Sequence, residues 1–286
     1  ITLPVAELER MLGSEPMQIV DAKVSRPKLQ GAVDITLKAD VSFSGRPPLL
    51  VKVRPADRGA QAFNNVPRYD LAAYELQKLL MDTEESVVPP TSVRMVPLTE
   101  MKRYSSDVKT TFPGSDDVLC VVQYWLQDVT VPQDVLFPER FESDALYARH
   151  IGQLNVFTYL IGHRDSNLGN FIVSAVPEGA RVFSIDNGVA FASGGSDRGE
   201  LWRSMRVKRL PADTVARLRK LTEAELNSRL GVLAEWKLEN GHYVAVAPGE
   251  NLRPKSGVRR KEGVVQMGLS HGEIGSVWSR AQKLLR

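Results

Sequence analysis

The chain has 286 residues, 43% of them hydrophobic and 25% charged, which excludes a disordered protein and fits one large domain or two lobes around a cleft. A balance of 37 basic against 34 acidic residues, net +3, permits an anionic ligand and gives no reason to expect nucleic acid. No apolar run reaches the roughly 20 residues of a bilayer span, and a single cysteine excludes an intrachain disulfide.

The first elements in the chain read as strands. "DITLKADVSFSG" alternates at Ile35, Leu37, Ala39, Val41 and Phe43, the period of a half-buried strand, and ends in the turn Gly45-Arg46-Pro47-Pro48. "LLVKV" is its expected hairpin partner, with Lys52 the one charge in an apolar strand. "YDLAAYELQKLLMD" then carries Leu71, Ala72, Glu75, Leu76, Leu79 and Leu80 at helical spacing, with Asp70 read as the N-cap. "TSVRMVPL" and "VLCVVQYWL" complete a small sheet, and Cys120 within the latter reads as a buried structural thiol.

From about Asp128 the pattern turns helical. "SDALYARHIGQLNVFTYLIG" places Tyr147, Ile151, Leu154, Phe157 or Thr158, and Ile161 on one face, with Gly162 as its stop. "LPADTVARLRKL", "TEAELNSRLGVL" and "SHGEIGSVWSRAQKLLR" follow, the last two opened by capping-box spacings at Thr222/Glu225 and Ser270/Glu273. The expected fold class is α+β, with a sheet-rich N-lobe over residues 1–127 and a helical C-lobe over 128–286. Basic residues gather in "RSMRVKRL" and "RPKSGVRRK", which suit a solvated face or an anionic acceptor.

Between these helices lie "IGHRDSNLGNFIVS" and "RVFSIDNGVAF". Asp165 and Asn170 share one loop, so a carboxylate and an amide oxygen can face one cleft, the first toward a substrate hydroxyl and the second toward a divalent ion. The runs "FIVS" and "VFSI" pair as a hairpin through "AVPEGAR", which sets Asp186 beside Asn170 as a second metal ligand, and Gly188 supplies the sharp turn. The four fixed positions of His-Arg-Asp-x4-Asn arise by chance in roughly one chain in a thousand. Lys52, mid-strand and apolar in setting, needs a partner, and Glu75 on the next helix can supply it while aiming the lysine at phosphates. These groups fall in the order that phosphoryl transfer from ATP requires.

On these residues the chain resembles the protein-kinase-like superfamily. "HRDSNLGN" is similar to the His-Arg-Asp-x4-Asn catalytic loop, and "IDNGVAF" resembles the corresponding segment of type II phosphatidylinositol 4-kinases and of the Golgi casein-kinase-like secretory family. The resemblance implies a bilobal kinase-like fold, Asp165 as catalytic base, Asn170 and Asp186 as ligands of Mg2+ or Mn2+, Lys52 as the phosphate-binding lysine of an ATP site and Glu75 as its partner. It also implies a hinge at "CVVQYWLQD", touching adenine through backbone groups of Gln123, Tyr124, Trp125 and Leu126. Two features depart from typical protein kinases: "SRPKLQGAV" holds one glycine, Gly31, where a Gly-x-Gly-x-x-Gly loop would stand, and no Ala-Pro-Glu follows Asp186 in "FASGGSDRGELW".

The expected activity is therefore that of an atypical kinase acting on a protein or phospholipid hydroxyl. Peripheral membrane contact is left open, and the lone cysteine favours a cytoplasmic location, although a chain beginning at Ile1 leaves room for a removed leader. The alternatives are a small-molecule phosphotransferase similar to the aminoglycoside and choline enzymes, transfer of adenylate instead of phosphate, and a pseudokinase binding module. Arg164 and His163 are expected to be structural.

Overall fold

The computed structural model describes the chain outside residues 26–34, 44, 64, 133, 135, 177–180, 192–198 and 201–205. Gly31, Arg203, most of "FASGGSDRGELW" and the tip of "AVPEGAR" lie outside the described residues.

Strands β1 (Met17–Ser25), β2 (Thr36–Phe43), β3 (Leu49–Pro55), β4 (Thr91–Pro97) and β5 (Asp117–Tyr124) form an antiparallel sheet in the order β1-β2-β3-β5-β4. The alternation read in β2 is realised: Leu37, Ala39, Val41 and Phe43 are buried while Lys38 and Asp40 are exposed. Helix α1 (Val5–Gly13) lays Leu8, Met11 and Leu12 over one face, against Val51, Val53, Val118, Cys120 and Val122. The period of two sends Leu119 and Val121 to the other face. Because both faces are covered, β5 is buried along its whole length, and burial pushes the Cys120 thiol pKa up.

Helix α2 (Pro67–Gln77) packs beneath this sheet. Pro67 occupies the first helical turn, and Val66, not Asp70, holds the N-cap position. Asp70 is instead a buried side chain within the helix, 1% exposed. The short helix α3 (Leu98–Met101) and strand β6 (Val129–Thr130) lead to helices α4 (Pro138–Ser143) and α5 (Ala145–Ile161). Asp144 caps α5 by accepting from the Tyr147 amide, and Gly162 ends it in the left-handed region at φ 58°, as its sequence predicts.

Beyond α5 come β7 (Asp165–Ser166), β8 (Phe171–Ser174), β9 (Val182–Ser184) and β10 (Gly199–Glu200). The predicted hairpin forms, with Phe171 opposite Ser184 in an antiparallel β8–β9 pair, and β10 runs parallel to β7. Helices α6 (Ala212–Lys220) and α7 (Glu223–Leu230) follow where expected, and Thr222 caps α7 through the Glu225 amide.

The expectation of a helical second half is corrected at residues 234–267. There β11 (Ala234–Glu239), β12 (His242–Val246), β13 (Val258–Lys261) and β14 (Val264–Met267) form a second antiparallel sheet in the order β12-β11-β14-β13. Its Trp236, Tyr243, Val265 and Met267 pack against Leu119, Val121 and Leu71. Helix α8 (His271–Leu284) then opens with the full Ser270/Glu273 capping box. The division at 127/128 thus does not separate two cores, since the second sheet shares one with the first and α2 shares another with α5. Within "RPKSGVRRK" Arg253, Lys255, Arg260 and Lys261 are solvated, but Arg259 is 1% exposed and donates to the Gly231 and Leu269 carbonyls. No helix among the described residues is long and apolar enough to cross a membrane.

Candidate functional site

The period of β3 puts Val51 and Val53 into the α1 core and turns Lys52 and Arg54 to the opposite face, where both are buried. A lysine so placed must find a counter-ion or lose its charge. It finds Asp186: the Lys52 ammonium and the Asp186 Oδ1 form an ion pair across the chain. Lys52 and the Arg54 guanidinium beside it hold the Asp186 carboxyl down to about 2 against the effect of burial. Asp186 therefore remains an anion throughout the physiological range.

Backbone geometry aims this carboxylate. Asp186 itself takes the left-handed conformation, φ 54°, which aspartate tolerates better than most residues, so the reversal expected at Gly188 occurs two residues earlier. The Ser184 hydroxyl donates to Asn187 Oδ1 at 2.9 Å and pins the turn from behind. One residue before it, the Ile185 amide donates to the Asn170 carbonyl at 2.9 Å, which fastens the end of β9 to the loop that precedes β8.

That loop is organised around Asp165. The Asn170 side-chain amide donates to the Asp165 carbonyl at 2.6 Å and to its Oδ2 at 3.1 Å, and Asn167 donates to Oδ1 at 3.2 Å. The Asp165 amide in turn donates to His163 Nδ1 at 3.2 Å. Burial drives the His163 pKa down to about 4 in spite of the nearby Asp165 and Asp186 carboxylates, so it is a neutral packing residue. With both donors of Asn170 turned to Asp165, its Oδ1 has no partner among the described residues, and neither has Asp186 Oδ2. An amide oxygen and a carboxylate oxygen are donor types that a small divalent cation accepts. Arg164 is exposed and is tied to Val189 through its backbone.

Two expectations are corrected. Glu75 does not meet Lys52: it pairs with Lys78 at 2.6 Å and lines a cavity on another side of α2. The carboxylate that α2 turns toward Lys52 is Asp70, five residues earlier and about 140° round the helix. Burial raises the Asp70 pKa while Lys52 and Arg54 oppose that rise. The hinge also differs from expectation. The Tyr124 amide donates to the Pro90 carbonyl and the Trp125 amide to the Leu50 carbonyl, so neither is open to a base. The Tyr124 side chain lies in the α1 core with its hydroxyl on Thr2, Gln123 donates to Thr91 at 2.7 Å, and Leu126 is buried. Of the four side chains Trp125 alone is part-exposed, with the Lys38 ammonium 4.7 Å from its ring centre.

Asp70, Arg54 and Asn167 are the residues that sequence reasoning missed. Pro67 was the available signal for Asp70, since a proline at the first helical position starts the helix early enough to bury position 70. A second acidic group, Asp82, Glu85 and Asp213, lies elsewhere, and the Arg149 guanidinium already bonds to Glu85 and Asp213 there. No family model matches the chain, and a search of curated proteins returns no match.

Proposed function

We propose that this protein is an atypical ATP-dependent kinase of bilobal, protein-kinase-like fold that transfers the γ-phosphoryl group to a hydroxyl of a protein or phospholipid. The observation that carries the reading is that the Lys52–Asp186 pair and the Asn170–Asp165 pair lie on segments tied together by the Ile185 amide on the Asn170 carbonyl at 2.9 Å. Phosphoryl transfer needs this set: a cation for the phosphates, oxygen donors for a metal, and a carboxylate near the attacking hydroxyl.

In this reading Asn170 Oδ1 and Asp186 Oδ2 hold Mg2+ or Mn2+, which when bound neutralises charge on the phosphate oxygens. Lys52 offers its ammonium to the phosphates, and Asp70 with Arg54 fixes the local field around it. Asp165, oriented by Asn167 and Asn170, accepts the acceptor hydroxyl's proton as its oxygen attacks the γ-phosphorus and the bond to the leaving ADP oxygen breaks. The solvated Arg253, Lys255, Arg260 and Lys261 favour an acidic protein or an anionic lipid surface as the acceptor. A cytoplasmic location and peripheral membrane contact belong to the same proposal.

The test is a thermal melt with ATP and Mg2+ or Mn2+, followed by labelled ATP added to a lysate separated into protein, lipid and metabolite fractions. Metal-dependent stabilisation that disappears in Asp186→Ala, with label in the protein or lipid fraction, is the expected result. Label in the metabolite fraction would reassign the enzyme to small-molecule phosphotransfer. Stabilisation without any label transfer would make it a binding module, and no stabilisation with either metal would end the nucleotide reading.

A further inference from the structure

We propose that a cavity behind α2 binds an alkyl cation, a guanidinium or ammonium on an apolar stem, and that its occupation braces the helix carrying Asp70. The cavity measures about 350 Å³, the lower end of the range for ligand pockets, and lies between α1, α2, β4 and the second sheet. Helix α2 contributes Leu71, Tyr74 and Glu75, and its C-cap residue is Lys78. These positions stand at i, i+3, i+4 and i+7, one continuous face. Trp236 and Ala245 of the second sheet form the facing wall.

The charge of the lining sets the ligand. Glu9, Glu75 and Glu235 contribute three carboxylates against the single ammonium of Lys78. Lys78 is shared between Glu9 at 2.7 Å and Glu75 at 2.6 Å, which leaves both carboxylates only half neutralised. Glu235 is buried and receives only neutral donors, the Gly249 amide and the Gln266 side chain, each at 2.7 Å. Glu235 is the buried carboxylate of the lining, while Glu9 and Glu75 are part-exposed beside Lys78, so the half-polar wall carries net negative charge at the rim and at the base of the cavity. An alkyl stem against Leu71 and Trp236 with the cation among the glutamates satisfies both parts of the lining.

The binding claim stands on the cavity alone, and its coupling to catalysis rests on the kinase reading above. Asp70 immediately precedes Leu71, so a ligand seated against the Leu71 and Glu75 face of α2 restrains the turn that faces Lys52.

Butylguanidinium and its neutral isostere butylurea, titrated into the full chain and followed by NMR shifts, test the binding. Butylguanidinium should bind at least about tenfold more tightly than butylurea, and Glu75→Gln should weaken it several-fold. Ala245→Leu, which fills the cavity from an exposed position, should abolish binding without touching a glutamate. Tighter binding of N-acetyl-leucyl-arginine amide would identify a peptide side chain as the source of the cation, and tighter binding of the free cation a small amine or guanidine. Equal affinity for butylurea, or undiminished binding by Ala245→Leu, overturns the site. Saturating butylguanidinium should tighten ATP binding in the presence of Mg2+. If ATP binds with unchanged affinity the bracing claim falls, whereas failure of ATP to bind at all would sink the kinase reading and leave the cation site standing.

Discussion

Two charge clusters meet on α2, and they differ in how fully their charges are matched. Arg68 donates from both terminal nitrogens to Glu273, at 2.7 and 2.8 Å, and to the Gly268 carbonyl at 3.2 Å. Tyr69 and the Ser270 amide complete the shell of Glu273. Burial opposes the charge of Glu273, but Arg68, Tyr69 and Ser270 outweigh it and leave its pKa below the ordinary value. Asp70, two residues along, makes no full hydrogen bond through either oxygen, and Lys52, Arg54 and the Asn187 amide act on it from farther off. Matched charges hold α2 against α8, whereas the unmatched ones lie where Asp186 and Asn170 keep oxygens open. The Asp186 side chain is 43% exposed, whereas Arg68 and Glu273 are sealed at 6% and 8%, so a ligand can reach the open cluster and the closed one is architecture.

The most severe break of this contrast is on the open side. Asp186→Ala should remove metal-dependent nucleotide binding and turnover together, while Asp165→Asn should keep nucleotide affinity near normal and lower turnover by about three or more powers of ten. Isothermal titration beside single-turnover kinetics separates the two, and equal loss of binding in both variants would show that the roles are misassigned.

On the closed side the expected loss is in stability. Arg68→Met strands the Glu273 carboxylate in the core, and breaking a buried pair in this way costs about 3–5 kcal/mol. Urea unfolding measures it. The matching change of Asp70→Asn, which removes a charge without a bonded partner, should alter the unfolding free energy by less than about 1 kcal/mol, yet weaken nucleotide affinity. A large stability loss from Asp70→Asn would erase the difference between the clusters.

Acid probes the fold through His163, beside the open cluster, and through His150, on α5 near Glu85 and Arg181. Burial lowers each to about 4, with Arg181 adding to the effect at His150. Both are neutral in folded and unfolded chains above pH ~6.5, where their contribution to stability is fully present. Below that the unfolded chain gains protons that the fold refuses, so stability falls as the pH drops toward about 4, by on the order of 3 kcal/mol for each group at most. Urea midpoints between pH 7 and 4 follow the loss, and His150→Gln should remove its share of the slope.

The parts of this molecule legible in the sequence are those set by local periodicity. The alternation in β2, the Gly162 stop, the Ser270/Glu273 box and the β8–β9 hairpin follow from spacing alone. The first hairpin of the second sheet is legible in the same way, because Asn240-Gly241 is the strongest short-range hairpin signal, and Glu262-Gly263 makes the same turn, with both φ angles positive, from a weaker one. The partner of Lys52 was not legible in this way. Asp70 and Glu75 both lie on α2 within reach of β3 by sequence, and only the rotation of the helix, fixed by Arg68 on Glu273 two hundred residues away in the chain, decides which faces inward. The engagement of the Tyr124 and Trp125 amides was hidden for a similar reason, since the carbonyls that occupy them come from Pro90 and Leu50.

The smallest effect sharpens the contrast from the closed side. Ser270 donates its hydroxyl to Glu273 Oε2 at 2.9 Å and caps α8 by accepting from the Glu273 amide at 3.4 Å. In Ser270→Ala both are lost, yet Glu273 keeps Arg68, Tyr69 and the residue-270 backbone amide. Loss of an N-cap costs about 1 kcal/mol, and a cluster matched this redundantly should lose no more than that, read as a shift in the urea midpoint with an unchanged slope. A loss of the size expected for Arg68→Met would mean that the closed cluster depends on its cap, and that α2 is held from α8 by far less than the bidentate pair implies.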